Sequence, residues 1–413
     1  DAQNNVVRFS GSTAPDGVTI TGVEIQQAAP LFVSASSKLN ASVQQGGVYA
    51  QATSGDLKLG SINATSGDIN LAAPQNIVVA DAGSAPVIHG GNITLLAGSG
   101  SIGAANAPLI YVGASLASAS AGTNISLKAY GSDMIVGRIF AGGDVSLAAD
   151  DAILTSLEGV TVQSDNLDLH AGGDIGSLAH PFAFQLAPGG TLTGSATGDA
   201  TLVSAASASI AGFIAGGDLN IASLGDLQTT NLLSTGTLTL NAAGALLLGR
   251  VESDFNGDHA IDITAASIAA MNGTDENIVS AGATAKVTLA AESGIGAPSQ
   301  YIFVDTPWIS PTTLSGGIYI HALSNIVLPD ITAPGELQIV ADRGLTLANM
   351  SIASTLGLSA GSDLSFANMS SGANAMLSAD GSISGNRFTA PDSAAVTACH
   401  NLSLTADVSI TGM

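Results

Sequence analysis

Residues Ser54 to Ala80 read SGDLKLGSINATSGDINLAAPQNIVVA. Gly55-Asp56-Leu57-Lys58-Leu59 returns as Gly67-Asp68-Ile69-Asn70-Leu71: a turn pair, then apolar residues at every second position. Period-two alternation entered through Gly-Asp predicts a short strand with one apolar face. The phrase recurs along the chain, at Gly91-Asn92-Ile93-Thr94-Leu95, Gly143-Asp144-Val145-Ser146-Leu147, Gly217-Asp218-Leu219-Asn220-Ile221, Gly335-Glu336-Leu337-Gln338-Ile339 and Asn401-Leu402-Ser403-Leu404 among others. No sustained i, i+3, i+4 pattern accompanies it, and Gly is too frequent for helices.

The main phrases return every ~18 to 27 residues, a period that marks a solenoid. The expected fold is all-β: a right-handed parallel β-helix of about 20 coils, single and continuous over 1–413. At about 4.8 Å per coil it would reach on the order of 90–100 Å. Aliphatic positions fill the interior, and Thr94, Ser146, Asn220 and Thr239 form polar columns outside. Irregular excursions are expected near 251–262 and 298–313.

Composition supports this and excludes other classes. The 413 residues include 50 Gly, only 10 % charged and 4 % aromatic residues, and carry a net charge of −23. Regular aliphatic alternation and a mean hydropathy of +0.42 argue against disorder. No apolar run is long enough for a spanning helix. Nine scattered Lys and Arg cannot form the cationic patch that a phosphate backbone needs, so nucleic acid is excluded as a partner. The lone Cys399 cannot form an internal disulfide and reads as a small buried residue. Starting at Asp1, without a cationic leader and apolar core, the chain is expected to be a processed product or an excised segment.

A longer signature occurs three times. Ser101-Ile102-Gly103 precedes Pro108-Leu109-Ile110-Tyr111-Val112. Asp174-Ile175-Gly176 precedes Pro181-Phe182-Ala183-Phe184. Gly294-Ile295-Gly296 precedes Pro298 and Tyr301-Ile302-Phe303-Val304. With the Gly-Asp-Ile-x-Leu strands between, this resembles the shaft of filamentous haemagglutinin-like adhesins, the exoproteins of bacterial two-partner secretion. The resemblance covers nearly the whole chain. It implies a β-helical shaft, export through an outer-membrane transporter, a secreted or cell-surface location, and work in adhesion, aggregation or biofilm. A receptor or glycan on a host or neighbouring cell would be the partner. The Asn-Pro-Asn-Leu or Asn-Pro-Asn-Gly motif usual in that family's secretion domain is missing. End-to-end self-association into a fibre is the first alternative, since an open coil end invites another chain. The second is a β-helix enzyme acting on polysaccharide.

Catalysis by such an enzyme needs converging carboxylates. Here Asp56, Asp68, Asp144, Asp174, Asp218 and Asp226 read as corner residues bonding their own backbone. Asp150-Asp151 reads as a solvated turn. No close His pair has metal-ligand spacing, and no Gly-x-Ser-x-Gly elbow stands between strand and helix, so no catalytic residues are assigned.

Two places break the pattern. Asp254, Asn256, Asp258 and Asp262 fall at calcium-loop offsets 1, 3, 5 and 9, but offset 6 is His259 and offset 12 is Ala265, where an acid is required. They are a weak calcium candidate, set against an expectation of no cofactor. Tyr301, Phe303 and Trp308, the only Trp, form a possible recognition loop, set against a proline corner whose rings cover a bare strand. Eight Asn-x-Ser/Thr sequons, at Asn40, Asn63, Asn92, Asn124, Asn272, Asn349, Asn368 and Asn401, are candidate glycosylation sites, set against the expectation that turn Asn preceding alternating Ser or Thr generates them automatically.

Overall fold

The computed structural model describes residues 18–22, 31–33, 38–44, 46–65, 67–80, 87–112, 115–155, 159, 161–271, 276–391, 393–404 and 408–410. All regular elements among them are β-strands, and the paired strands run parallel. The fold is a β-solenoid of about 18 turns in all. Among the described residues no helix is long and apolar enough to cross a membrane. The chain divides into two compact units, Asp1–Ala205 and Ala206–Met413.

The second unit shows the regular coil most plainly. Leu337–Ala341 is a five-residue strand with alternating burial. Turn 342–344 leads to the eight-residue strand Leu345–Ile352, and turn 353–355 leads to the next five-residue strand, Leu356–Ala360. Equivalent residues bond at a sequence separation of 19.

The eight-residue strand is bent. In Leu345–Ile352, residues 345, 347, 350 and 352 are buried, while 348 and 349 both face out. Two successive outward residues mean that the chain turns a corner there, since successive side chains of a straight strand take opposite faces. The same break occurs in Leu57–Ala64, Leu227–Ser234, Leu364–Ser371 and Ile383–Ala390. Each regular coil thus has one flat side and one side with a corner.

The corner does not stay on one sheet. In the first unit it begins on the sheet of Leu57–Ala64. That strand stacks on two fragments, Ile77–Val79 and Ile88–His89. Next come the single bridge residue Ile102 and Leu109–Val112, and both of these stack on one flat strand, Ile125–Ala129. Over the same coils the opposite sheet gains a residue between Leu116 and Ser118, and its next strand is the eight-residue Met134–Ala141. Ile175 with Phe182–Leu186 then flattens that sheet again, at Ala200–Ser204. In the second unit, Ile295 with Ile302–Asp305 flattens the sheet of Ala245–Ser253 at Ile318–Ala322. The facing sheet goes from Trp308–Thr313 to the cornered Leu345–Ile352. Each Ile-Gly signature marks a coil where the corner leaves a sheet.

The glycine of each signature is fixed by geometry. Gly103, Gly176 and Gly296 have φ of 66°, 64° and 67°. A Cβ would stand 2.4 Å from the Ser126 oxygen, 2.6 Å from that of Thr201 and 2.6 Å from that of Tyr319. Both the left-handed backbone and the close approach demand Gly. Inside, like stacks on like: Leu57, Ile77, Ile102, Ile125, Val145, Leu167 and Leu192 form one column, each at most 1 % exposed.

Three expectations change. Residues 298–313 are not an irregular excursion: a tight turn closed by Ala297 and Gln300 leads into the strands Ile302–Asp305 and Trp308–Thr313. In 251–262 only 254–260 leave the strands. Cys399 is exposed, not buried, because it lies in the turn after Ala394–Ala398.

Candidate functional site

The Gly-Asp pair joins one coil to the next. The Asp144 carboxylate accepts from the Asn166 N–H at 3.2 Å, Asp174 from the Asp199 N–H at 2.9 Å, Asp218 from the Thr237 N–H at 2.7 Å and Asp226 from the Ala245 N–H at 2.8 Å. Asp56 accepts from the backbone and the side chain of Asn76, and Asp68 from the side chain of Asn92. These aspartates therefore bond the following coil, which corrects the expectation that they bond their own backbone. The physical reason is that a turn N–H lies outside the strand ladder and needs another acceptor. The glycine completes the device. A Cβ at Gly236 would stand 2.3 Å from Asp218 Oδ1, in the space the preceding coil's carboxylate occupies. Asp150 reaches backward instead, taking the Gly131 N–H and the Lys128 ammonium, each at 3.0 Å. Those contacts lower its pKa from the ordinary 3.8.

The calcium candidates do not converge. Asn256 Oδ1 accepts from the N–H and the hydroxyl of Thr284, each at 2.9 Å. Asp258 meets Lys286 Nζ at 2.6 Å, which lowers its pKa. Asp262 lies on the strand Ile261–Ala265 and meets His259 Nδ1 at 2.8 Å. Asp254 directs its backbone N–H to the Ser234 carbonyl. His259 takes a left-handed φ of 61° in this turn. Among the described residues no three His, Cys, Asp or Glu side chains come together as a metal would require.

The aromatic candidates do not form a loop: Phe303 and Trp308 lie on strands, and Tyr301 directly precedes one. Phe303 belongs to the sheet of Ile318–Ala322, while Trp308 opens a strand of the facing sheet and is 37 % exposed. The Tyr301 and Tyr319 rings meet edge to face, with centroids 6.2 Å apart. Their hydroxyls donate to Gln338 and Glu336. Burial, then the nearby Glu336 carboxylate, raises both phenol pKa values. Phe303 stacks on His321 at 4.7 Å, and His321 Nε2 meets Asp342 at 2.7 Å. These contacts tie successive coils together on the outer face. Several sequon asparagines do the same: Asn92, Asn349 and Asn368 spend their side-chain N–H groups on Asp68, Asp330 and Asn349. Asn272 lies outside the described residues.

One constellation escaped sequence reasoning. On the outer face of Leu167–Ala171 and Leu192–Ala196, Asp168, His170 and Ser195 meet. Ser195 pairs with His170 across a coil of 25 residues, whereas regular coils take 19. Only the register brings the two together.

No protein-family model, no curated protein and no solved structure matches this chain at a significant level.

Proposed function

We propose that this chain is shaft material of a secreted or cell-surface bacterial adhesin, exported by two-partner secretion and working in adhesion, aggregation or biofilm. One observation carries the reading: the Gly-Asp phrase spends its side chain on joining each coil to the next. A repeat built this way adds coils at low cost in sequence variety, which suits a spacer that holds a recognition surface away from a cell. The acidic, cation-poor composition suits a surface that must not adhere indiscriminately. The three Ile-Gly-to-Pro signatures carry the family resemblance. A receptor or glycan on another cell is the proposed partner, and the export transporter the partner during secretion.

The test is deletion of the encoding segment in the source bacterium, scored for attachment to cells and for biofilm mass. The expected result is loss of one or both while the protein is detected outside the wild-type cell. Unchanged attachment and biofilm, or a protein retained inside the cell, would overturn the proposal.

A further inference from the structure

Asp168, His170 and Ser195 are in the arrangement of an assisted nucleophile. Ser195 Oγ lies 3.0 Å from His170 Nδ1, and His170 Nε2 lies 3.2 Å from Asp168 Oδ2. Thr193 donates to the other Asp168 oxygen at 2.9 Å, which orients the carboxylate. The contacts follow from register, with Asp168 opposite Thr193 and His170 opposite Ser195. A carboxylate at Nε2 selects the tautomer with its proton there, so the Nδ1 lone pair faces the serine hydroxyl. His89, His259, His321 and His400 instead face an amide, two carboxylates and a backbone carbonyl. The His170 and Asp168 side chains are 55 % and 40 % exposed, so a reagent or a partner's acyl group can reach them.

We propose that Ser195 is an activated surface nucleophile that accepts an acyl group from a reactive acyl donor, an activated ester or thioester. Ser195 Oγ attacks the carbonyl carbon as its proton passes to His170 Nδ1. The tetrahedral adduct then collapses, breaking the bond to the alcohol or thiol, which leaves with that proton. The products are O-acyl-Ser195 and the free alcohol or thiol. Asp168 is a positioning residue that keeps its charge and holds the Nε2–H. Strand N–H groups lie in the plane of the sheet and not toward the outer face that carries Ser195, so these two strands aim no backbone donor at the oxyanion. The acceleration is therefore that of general-base assistance alone, about 10²-fold over an ordinary surface serine, and it favours donors with good leaving groups.

The test uses the full chain and a fluorophosphonate probe, whose fluoride leaves as Ser195 Oγ bonds phosphorus. The adduct is mapped by peptide mass spectrometry. The expected result is one adduct, on Ser195, absent in Ser195→Ala and about 10²-fold slower in His170→Gln, with strand content unchanged by circular dichroism. Imidazole nitrogen NMR should show the Nε2–H tautomer in the wild type and a tautomer mixture in Asp168→Asn. No adduct, adducts spread evenly over surface serines, or a Ser195 adduct indifferent to His170→Gln would overturn the proposal.

Discussion

The run from Ile318 to Ala398 and the coil around Ile295 use the same strands and the same ladder for different ends. In the run, Ile318, Leu337, Leu356, Ala375 and Ala394 stack in unbroken register, and the corner stays on the opposite sheet. Around Ile295 the period is lost, a strand shrinks to one bridging residue, and the corner changes sheet. Regularity extends the stack. The irregular coil decides which side of the next stretch is flat, and its constraints are more severe because a backbone fold, not a side chain, is being held.

The comparison breaks first at glycine. Gly296→Ala should cost about 3 kcal/mol or more, since a left-handed backbone and a backbone oxygen at 2.6 Å both oppose the methyl group. Gly131→Ala has a similar φ of 64° but nothing within 4 Å, and should cost only about 1–2 kcal/mol. Urea unfolding of the two variants checks this, and equal losses would remove the special status of the signature glycine. Next comes the link between coils. Asp218→Ala leaves the Thr237 N–H without its acceptor and should cost about 1.5–3 kcal/mol, with faster hydrogen exchange at Thr237.

Smaller changes sharpen the picture. Tyr111 sits inside the first signature coil, 1 % exposed, with a hydroxyl that has no partner among the described residues and a pKa pushed up by burial. Phe184 holds the matching place in the second signature coil. Tyr111→Phe should therefore be neutral or raise stability, by up to about 1–2 kcal/mol in thermal or urea unfolding. The smallest effect is in acid. Because the folded-state pKa of Asp150 is depressed, its contribution is complete above the ordinary carboxylate value and is lost as pH falls through the folded value. Asp150→Asn should therefore flatten the acid limb of a stability-against-pH curve slightly, and leave neutral stability a little lower.

Much of this fold is legible in the sequence because its rules are local. Alternation after Gly-Asp marks the strand, and recurrence marks the stack. The corner is harder to read. In Leu345-Thr346-Leu347-Ala348-Asn349-Met350-Ser351-Ile352 the apolar residues slip phase by one, and the buried set is clear only once the neighbouring coils are aligned. The three signatures stand out in the sequence, yet their role depends on what the facing sheet does in the same coil. The outer-face contacts are least legible. Asp258 with Lys286, Tyr301 with Gln338 and His170 with Ser195 each lie more than one regular coil apart, so unequal coil lengths hide them.

The corner changes sides across the Ile295 coil. A cysteine-accessibility scan tests it most directly, using single Cys substitutions in a Cys399→Ser background and an aqueous thiol reagent. Positions 345, 347, 350 and 352 should be protected while 348 and 349 both react. Through 318–322 no two adjacent positions should react, with 318, 319, 320 and 322 protected. Strict alternation through 345–352, or two adjacent reactive positions within 318–322, would contradict it.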